Sequence, residues 1–307
     1  MSGNFFDDND DPVDIRIDGV FKAVFTKETP AARGALSGLV SALIGQNITI
    51  ITILPNELPI GGLDDRQLRF DINCKAENGE LVNVEMCFNP KSFEPVRLEY
   101  HAAKLFTAQN IKGSSKGYND LKEVYQIAIL ARECIFSDDE FYHTFEYYDP
   151  IHKISLSGRS KIISLELTKL KTIVEKPAAQ MNNPERWGVY LEYLTDRSKR
   201  SKINELVGLE GGIKMANEVL LTISRDEIER ARLMREEKTE LDYISYMAWA
   251  KEQGHAEGHA EGHAEGINEG IEIGEQKRNN YVLQLIEQGL TVDEIKQRLE
   301  QNTQMMP

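Results

Sequence analysis

The stretch that most constrains this chain is RFDINCKAENGELVNVEMCF, at residues 69–88. Polar and apolar residues alternate on both sides of a Glu-Asn-Gly tripeptide, and an alternation with a period of two is typical of β-strands. Asn-Gly is a strong signal for a tight turn between two strands. The sequence therefore predicts a β-hairpin with strands at roughly residues 67–77 and 80–88, each with one polar and one buried side.

The length of the turn decides which side chains of the hairpin share a face. A two-residue Asn-Gly turn would pair Asp71 with Met86 and would put Asp71 and Glu85 on opposite faces. A three-residue Glu-Asn-Gly loop is a type I turn followed by glycine in the left-handed conformation, and it pairs Asp71 with Glu85. We predict the three-residue loop or an equivalent bulge, and with it two carboxylates on one face.

Two adjacent carboxylates are suited to a hard divalent cation such as Mg²⁺. Such an ion polarises a phosphodiester and lowers the pKa of a bound water, which then attacks phosphorus. A lysine or glutamine two residues after the glutamate would orient that water or stabilise the developing charge, but the residue there is Cys87. The same alternation also suits a surface hairpin without chemistry, so the hairpin by itself leaves both interpretations open.

Helical and β-prone segments surround the hairpin. Apolar spacing predicts two helices within residues 14–46, separated at Pro30, and a third from about Val96 to Gln109. The β-branched run NITIITIL predicts a strand before Pro55, and EVYQIAIL and FYHTFEYY predict two more. Residues 161–222 are predicted to be mostly helical, with ISLELTKL and RWGVYLEYL as amphipathic helices.

A long polar helix is predicted from Ser224 to about residue 276. Ser224 and Glu227 have the spacing of a capping box, which marks a helix start. The following segment, YVLQLIEQGLTVDEIKQRL, predicts two short amphipathic helices. Gly289 would end the first, and a Thr-x-x-Glu box would cap the second.

Glycine recurs every fourth residue from Gly254 to Gly274 inside this helix, and the repeat also carries His255, His259 and His263. Each glycine costs about 1 kcal/mol of helix stability relative to alanine. Three interpretations stay open: a zinc or nickel site on the histidines, a close-packed helix pair between subunits, and a solvated spacer.

The net charge of −14 argues against a nucleic-acid partner unless the charge is unevenly distributed. Residues 1–11 carry 4 acidic and no basic residues, and residues 224–307 carry 18 acidic and 10 basic residues. The middle of the chain is therefore nearly neutral. Between Arg97 and Lys122, five basic residues outnumber two acidic ones, a local patch that can contact phosphates.

The chain lacks the signals of export and membrane insertion. Its N-terminus has no basic segment followed by an apolar one, and no stretch approaches the roughly 18 apolar residues of a membrane span. Three scattered cysteines, Cys74, Cys87 and Cys134, imply no disulfide framework. These features predict a cytoplasmic protein with no membrane partner.

Several short motifs, in this order along the chain, together carry a resemblance to a known family. They are DGVFK at 18–22, LPNELP at 54–59, DDRQLRFDI at 64–72, ENGELVNVEM, RLEY at 97–100, KLF at 104–106, and Tyr118 with the QIAIL that follows. From Asp18 to about Leu130 the chain resembles the Rpn family of recombination-promoting nucleases, transposase-like proteins of the PD-(D/E)XK nuclease superfamily. The glycine-periodic tail with its two-helix end also looks like this family.

The resemblance implies a fold and an activity. The fold is α/β: a restriction-endonuclease-like mixed sheet flanked by helices, here with an α-helical C-terminal extension. The activity is DNA cleavage with Mg²⁺ or Mn²⁺, in recombination or mobile-element activity. By position, Asp71 and Glu85 match the metal-binding acids, and Asp18 matches an acid on the first helix that adds a ligand.

The resemblance also extends to basic and aromatic residues around the predicted metal site. Lys22, one helical turn after Asp18, is a further catalytic candidate. Arg97, Tyr100 and Lys104 match the helix that follows the site, where they could face one groove and contact DNA.

Cys87 occupies a catalytic position and departs from the family pattern, which has glutamine there, or lysine in the wider superfamily. A thiol carries no positive charge and donates hydrogen bonds weakly. As a thiolate it would favour softer ions than Mg²⁺. Lys22 is the best candidate in the sequence to fill the same space. Two functions stay open: a metal-dependent DNA endonuclease, and a catalytically weakened nuclease-fold protein that binds DNA or a partner chain in a regulatory role.

Five segments are predicted along the chain, with a homodimer contact on the long helix. They are a disordered acidic tail at 1–12, a nuclease-like core at 13–150, a helical part packed on the core at 151–223, the long helix with Gly/His/Glu repeats at 224–276, and a two-helix unit at 277–307.

Overall fold

A computed structural model of the chain describes residues 5–7, 9–56, 69–109, 111 and 117–303. The motif residues at 57–68 and the basic residues Lys112 and Lys116 lie outside these ranges. Two compact units divide the chain, Met1–Lys238 and Thr239–Pro307. The first contains a six-stranded mixed sheet flanked by helices, so the predicted α/β fold class is confirmed.

The chain enters this unit through two helices, α1 (Asp18–Thr26) and α2 (Pro30–Ile44). Thr29 caps α2 by accepting a hydrogen bond from the Ala32 backbone N–H, and Pro30 occupies the first helical turn, where its missing N–H costs nothing. Gly45, with φ of 76°, ends the helix in the left-handed conformation. The predicted pair of helices on either side of Pro30 is therefore present.

The sheet and its connections follow in chain order. The elements are β1 (Ile50–Ile53), β2 (Ile72–Ala76), β3 (Leu81–Cys87), α3 (Glu94–Thr107), β4 (Val124–Leu130), β5 (Tyr142–Glu146), the short pair β6 (Tyr148–Asp149) and β7 (Ile154–Ser155), and β8 (Ser160–Glu166). The strand order is β1-β2-β3-β4-β8-β5. The β3–β4 and β4–β8 pairs are parallel and the other pairs are antiparallel, so β3 and β4 lie in the middle of the sheet.

The hairpin of β2 and β3 has the register predicted from its three-residue loop. Ile72 pairs with Val84, and the ladder runs from there towards the turn without a shift. The Ala76 backbone N–H donates to the Glu80 carbonyl at 2.9 Å, and Gly79 takes the left-handed conformation with φ of 96°. The three-residue loop is thus confirmed, and the next pair outward from Ile72 and Val84 is residue 71 with residue 85.

The expectation of one polar and one buried side per strand is wrong for β3. Asn83 and Glu85, on its polar side, are 0% and 1% exposed. The reason is tertiary, because β3 is an inner strand and α3 packs on the face that carries these residues. Polar residues on this side must therefore find protein partners instead of water.

The segment ISLELTKL, predicted to be an amphipathic helix, instead forms most of β8 followed by a short 3₁₀ turn at Leu167–Lys171. Its apolar and polar residues alternate with a period of two, which is the period of a strand. β8 pairs with both β4 and β5, so it belongs to the sheet and not to the predicted helical part at 151–223.

Three further helices complete the first unit: α4 (Asn183–Tyr193), α5 (Arg200–Leu209) and α6 (Gly211–Arg225). They join α1 and α2 in one hydrophobic cluster around the fully buried Trp187. α2 and α6 cross where Gly38 meets Gly212, so closely that a Cβ built on Gly38 would lie 2.7 Å from the Gly212 Cα. A side chain at either glycine would therefore force the two helices apart.

The acidic N-terminal segment, predicted to be disordered, packs on this unit where the structure describes it. Phe6 is 4% exposed, and its backbone N–H donates to the Asn204 side chain at 3.0 Å. Asp10 pairs with Arg225 at 2.9 Å, and Asp11 pairs with the Arg230 guanidinium at 2.7 Å. The amino-acid composition alone does not reveal the burial of the Phe6 ring or these ion pairs.

The C-terminal region is helical: α7 (Glu227–Glu287) and α8 (Val292–Thr303). α7 runs past the predicted end near residue 276 and stops before Gly289, whose φ is 79°. The predicted cap at Ser224 is wrong, because the Ser224 hydroxyl accepts from the Val13 backbone N–H while Asp226 accepts from Glu229 N–H at 3.0 Å. Among the described helices, no stretch is long and apolar enough to cross a membrane.

The glycine repeat lies within α7. A Cβ built at Gly254, Gly262, Gly266, Gly270 or Gly274 would meet no atom within 4 Å in this single chain. The side chains of His255 and His259 are outside the described part, so the interpretation as a metal site stays open.

Candidate functional site

Asp71 and Glu85 lie on the same face of the hairpin. Asp71 immediately precedes β2, and the hairpin register places it opposite Glu85 on β3. One Asp71 oxygen accepts a hydrogen bond from the Met86 backbone N–H at 3.2 Å. The other lies 3.1 Å from the Lys22 Nζ. The hairpin therefore brings the two predicted metal-binding acids together.

Helix α1 adds an acid and a base to this pair. Asp18 and Lys22 are one turn apart, and the Lys22 Nζ lies 2.7 Å from an Asp18 oxygen as well as near Asp71. Lys22 thus bridges the two aspartates. Because this ammonium is held between two carboxylates, its pKa is raised despite burial, and it stays charged.

Asp71 has too little positive charge around it. Burial, then the negative charge of Asp18 and also that of Glu85, raises the pKa of Asp71 to about 6, although Lys22 lowers it. One ammonium therefore does not balance the carboxylates at this point. A group of oxygen donors with surplus negative charge is the environment in which a divalent cation binds.

Glu85, in contrast, is surrounded by donors. His101 Nδ1 lies 2.5 Å from one oxygen, which also accepts from the Asn83 amide at 2.9 Å. Arg97 Nη2 lies 3.0 Å from the other oxygen, an ion pair whose angle is too poor for a hydrogen bond. Burial raises the pKa of Glu85, but His101, Arg97 and Asn83 lower it more, so the pKa falls below its usual value.

Cys87 lies beside Arg97 and not beside Lys22. Arg97 Nη2 lies 3.3 Å from the Cys87 Sγ and 2.6 Å from an oxygen of the buried Glu94. Burial, with the charges of Glu94 and Glu85, raises the pKa of the Cys87 thiol well above its usual value, so the thiol is neutral. Glu85, Cys87 and Glu94 offer ligand atoms within 4.8 Å of one another, but the guanidinium occupies this cluster.

The predicted DNA-contact residues on α3 divide into two groups. Arg97 turns inward to Glu85, as described above. Tyr100 is 49% exposed, and the Lys104 ammonium lies 5.4 Å from its ring centroid. Tyr100 and Lys104 therefore form a surface pair one turn further along the helix, where a phosphate backbone could reach them.

Sequence reasoning missed three of the residues that hold the site. His101, Glu94 and Asn83 all contact Glu85 or its neighbour Arg97. His101 lies four residues after Arg97, which is the spacing of one helix face, and Asn83 lies two residues before Glu85, which is the spacing of one strand face. Glu94 carries no such signal, because its position against β3 is what selects it.

The site borders a cleft of about 910 Å³ between α1, the start of α2 and the edge strand β1. Asp71 and Lys22 line the end that belongs to the site, and Lys27, Arg33, Ile51 and Ile53 are among the other lining residues. The cleft gives a ligand access to Asp71. Its walls carry both basic and apolar side chains.

The carboxylates fit a hard divalent cation. Asp71, Asp18 and Glu85 supply oxygen donors, which Mg²⁺ and Mn²⁺ prefer. The raised pKa of Asp71 is the observation that indicates an unbalanced charge there. Cys87 does not fit as a ligand, since its thiol is neutral and Arg97 lies against it.

One comparison with known proteins gave a match. The family model described as PD-(D/E)XK nuclease family transposase matches residues 15–250, more than half of the chain. The matched range includes the whole sheet, α1 to α6 and every residue of the site described above. A search of curated proteins and a search of solved structures found no match.

Proposed function

The chain belongs to the PD-(D/E)XK nuclease family transposases, and we propose its function on that basis. A nuclease or transposase role follows from that membership. Beyond it, we propose that the chain is a DNA endonuclease that hydrolyses phosphodiester bonds with Mg²⁺ or Mn²⁺, in recombination or mobile-element activity.

Asp71, Glu85 and Asp18 would hold the metal ion. The ion, when bound, would polarise the phosphodiester and lower the pKa of a bound water. Glu85 is kept ionised and oriented by His101 and Asn83, which contact one of its oxygens. Its other oxygen, which pairs with Arg97, would bind the cation. Lys22 positions Asp71 and Asp18 through its two ion pairs.

One observation carries the proposal: the three-residue loop puts Asp71 opposite Glu85, and a third carboxylate, Asp18, approaches from α1. A surface hairpin without chemistry has no need to bring Asp71 and the buried Glu85 together with an acid from another element. Burial of unbalanced carboxylates is costly, and it is typical of sites that bind a cation.

Cleavage of supercoiled DNA in the presence of Mg²⁺ or Mn²⁺ tests the proposal. We expect nicked or linear product from the wild-type chain, and loss of at least about 100-fold in rate for Asp71→Ala and for Glu85→Ala. Asp139→Ala, a change to an exposed acid away from the site, is the matched control. Activity that survives both site substitutions would refute the assignment of these residues.

A second candidate function rests on Cys87. The buried, neutral thiol lies where a catalytic cation or amide is expected, which favours a weakened enzyme that binds DNA or a partner chain in a regulatory role. Tight DNA binding by a wild-type chain that never cleaves, with either metal, would select this function over the first.

DNA is the proposed partner, and Tyr100 with Lys104 would contact its backbone beside the site. We also propose a homodimer through α7 and a cytoplasmic location. The exposed Ile267 and Ile271, one turn apart on α7, support a helix–helix contact with a second copy.

A further inference from the structure

The position of the Arg97 guanidinium has a consequence for the chemistry of the site. It lies at the tip of Cys87, on the strand face that also carries Glu85. A lysine at position 87 would extend its ammonium beyond the strand into this same region. The short cysteine leaves that space open, and a long side chain from α3 fills it.

Arg97 is held in place, but not all of its N–H donors are engaged by the protein. Its Nε and Nη2 both lie 2.6 Å from one oxygen of Glu94, which is 4% exposed. Nη2 also contacts Glu85 and Cys87. Nη1 contacts no other polar group among the described residues, and the Arg97 side chain is 37% exposed. Two N–H donors therefore remain for a ligand on the solvent side.

Lys22 is less suited to this role. Its ammonium is engaged by Asp18 and Asp71, and it approaches from α1 instead of from the Cys87 side. An arginine also differs from lysine in geometry, because its planar fork presents parallel donors that match two oxygens of a phosphate.

We propose that Arg97 is a catalytic residue of this enzyme, supplying from α3 the positive charge that the motif position occupied by Cys87 lacks. The role rests on the proposed nuclease function. The ligand of Nη1 is a non-bridging oxygen of the scissile phosphate. Negative charge on this oxygen grows as the water adds, and the guanidinium stabilises it.

The proton and bond balance leaves Arg97 unchanged. The water oxygen bonds to phosphorus, and the bond from phosphorus to the leaving oxygen breaks. The proton of the water passes to solvent, and the leaving oxygen takes a proton from solvent. Arg97 keeps all of its protons throughout, as expected for a group that stays charged at every accessible pH.

Three variants test the role: Arg97→Gln, Arg97→Lys and the double variant Cys87→Lys/Arg97→Gln. We expect Arg97→Gln to lower kcat by roughly 100- to 1,000-fold, the usual effect of removing one donor to a developing oxyanion. The double variant restores the charge from the strand, and should recover about tenfold or more of that loss. Arg97→Lys should lie between wild type and Arg97→Gln, and Lys214→Gln, an exposed lysine on α6, is the charge-matched control.

DNA affinity separates catalysis from simple phosphate binding. It is measured by fluorescence anisotropy with a labelled duplex, in an Asp71→Asn background that does not cleave. We expect Asp71→Asn and Asp71→Asn/Arg97→Gln to bind with affinities within about tenfold of each other, since one of several phosphate contacts is lost. A loss that appears wholly as weaker binding would overturn the catalytic role.

Each variant is first checked by its thermal melt. A folded Arg97→Gln chain that cleaves at the wild-type rate overturns the role of Arg97 and leaves the nuclease function standing. Should Arg97→Gln fail to fold, Arg97→Lys decides: slower cleavage at an unchanged DNA affinity supports the role, and cleavage at the wild-type rate overturns it. A wild-type chain that does not cleave overturns the proposed function and this role together.

Discussion

The two carboxylates of the hairpin have opposite environments although they face each other across one ladder. Asp71 is pushed towards its neutral form by burial and by the charge of Asp18. Glu85 is more deeply buried, yet His101 and Arg97 keep it ionised. The difference arises from which helix covers each residue: α1 brings an acid with its lysine, while α3 brings an arginine and a histidine.

The raised pKa of Asp71 makes the stability of the metal-free chain depend on pH. The folded chain binds this proton with a pKa of about 6, against an ordinary value of 3.8. The contribution of Asp71 to stability is therefore fully present below about pH 4 and is lost as the pH rises through 6, because above that range the folded chain must carry a disfavoured charge. We expect Asp71→Asn to stabilise the chain by about 1–3 kcal/mol at pH 7.5 and by little at pH 4.

Urea unfolding in EDTA at the two pH values measures this difference. Asp139→Asn is the control, since that residue is exposed and lies outside the site. An equal effect of Asp71→Asn at both pH values, or a loss of stability at pH 7.5, would contradict the pKa shift as its cause.

Glu85→Gln should have the opposite effect on stability. The substitution removes the buried carboxylate that pairs with Arg97 and lies 2.5 Å from His101, and removing one partner of a buried ion pair costs about 3–5 kcal/mol. The Asp18 side chain is 37% exposed in its ion pair with Lys22, so Asp18→Asn should cost less than about 1 kcal/mol. Urea unfolding of both variants at pH 7 is the measurement. Equal losses would show that Glu85 is not compensated as described.

At the scale of elements, the hairpin and helix α3 build the site together. The hairpin register aligns Asp71 with Glu85 through the length of one loop. α3 then covers the polar side of β3 and supplies Glu94, Arg97 and His101. The site therefore lies at an interface between a locally determined hairpin and a helix placed by packing.

The crossing of α2 and α6 on the other side of the sheet gives a test of packing. A Cβ built on Gly212 would lie 2.9 Å from both the Gly38 Cα and the Trp187 ring, whereas one built on Gly211 would meet nothing within 4 Å. We expect Gly212→Ala to cost about 1–3 kcal/mol, because the helices must separate. The neighbouring Gly211→Ala should be neutral or slightly stabilising.

Thermal unfolding of these two glycine variants gives the comparison directly. Because they differ by one position in sequence, changes in the unfolded chain are nearly matched. Similar melting temperatures for both would mean that the close approach of Gly38 and Gly212 does not exist in solution.

At the scale of the whole molecule, charge and core are unevenly distributed. The main hydrophobic cluster ends at Leu233, within the first compact unit. Residues 251–307 carry 11 acidic and 5 basic residues, so much of the net charge of −14 lies beyond the region matched by the family model. The net negative charge of residues 251–307 lowers the long-range attraction of the chain to DNA.

A chain that ends at Ala250 tests this division. It keeps every residue of the main cluster, so its melting temperature should match that of the full chain. Its DNA affinity should rise, since negative charge is removed. Sedimentation of the two chains tests the proposed dimer as well. If the shortened chain keeps the oligomeric state of the full chain, the contact does not lie beyond residue 250.

Local signals in the sequence were enough to determine the hairpin, its register and the first three helices. The strand period, the Glu-Asn-Gly loop and the proline at the start of α2 act over a few residues, so no distant contact is needed to interpret them. The same local order of motifs predicted the family that the comparison then showed. By these means Asp71 and Glu85 were placed on one face before any tertiary contact was known.

Tertiary structure alone decided which groups surround those acids. The sequence favoured Lys22 as the cation beside Cys87, but the packing of α3 on β3 puts Arg97 there, and it buries Glu85 against His101. Tertiary contacts also place β8 in the sheet and hold Phe6 against Asn204. These contacts join residues distant in the chain, and they depend on how elements pack, which no local period or spacing encodes.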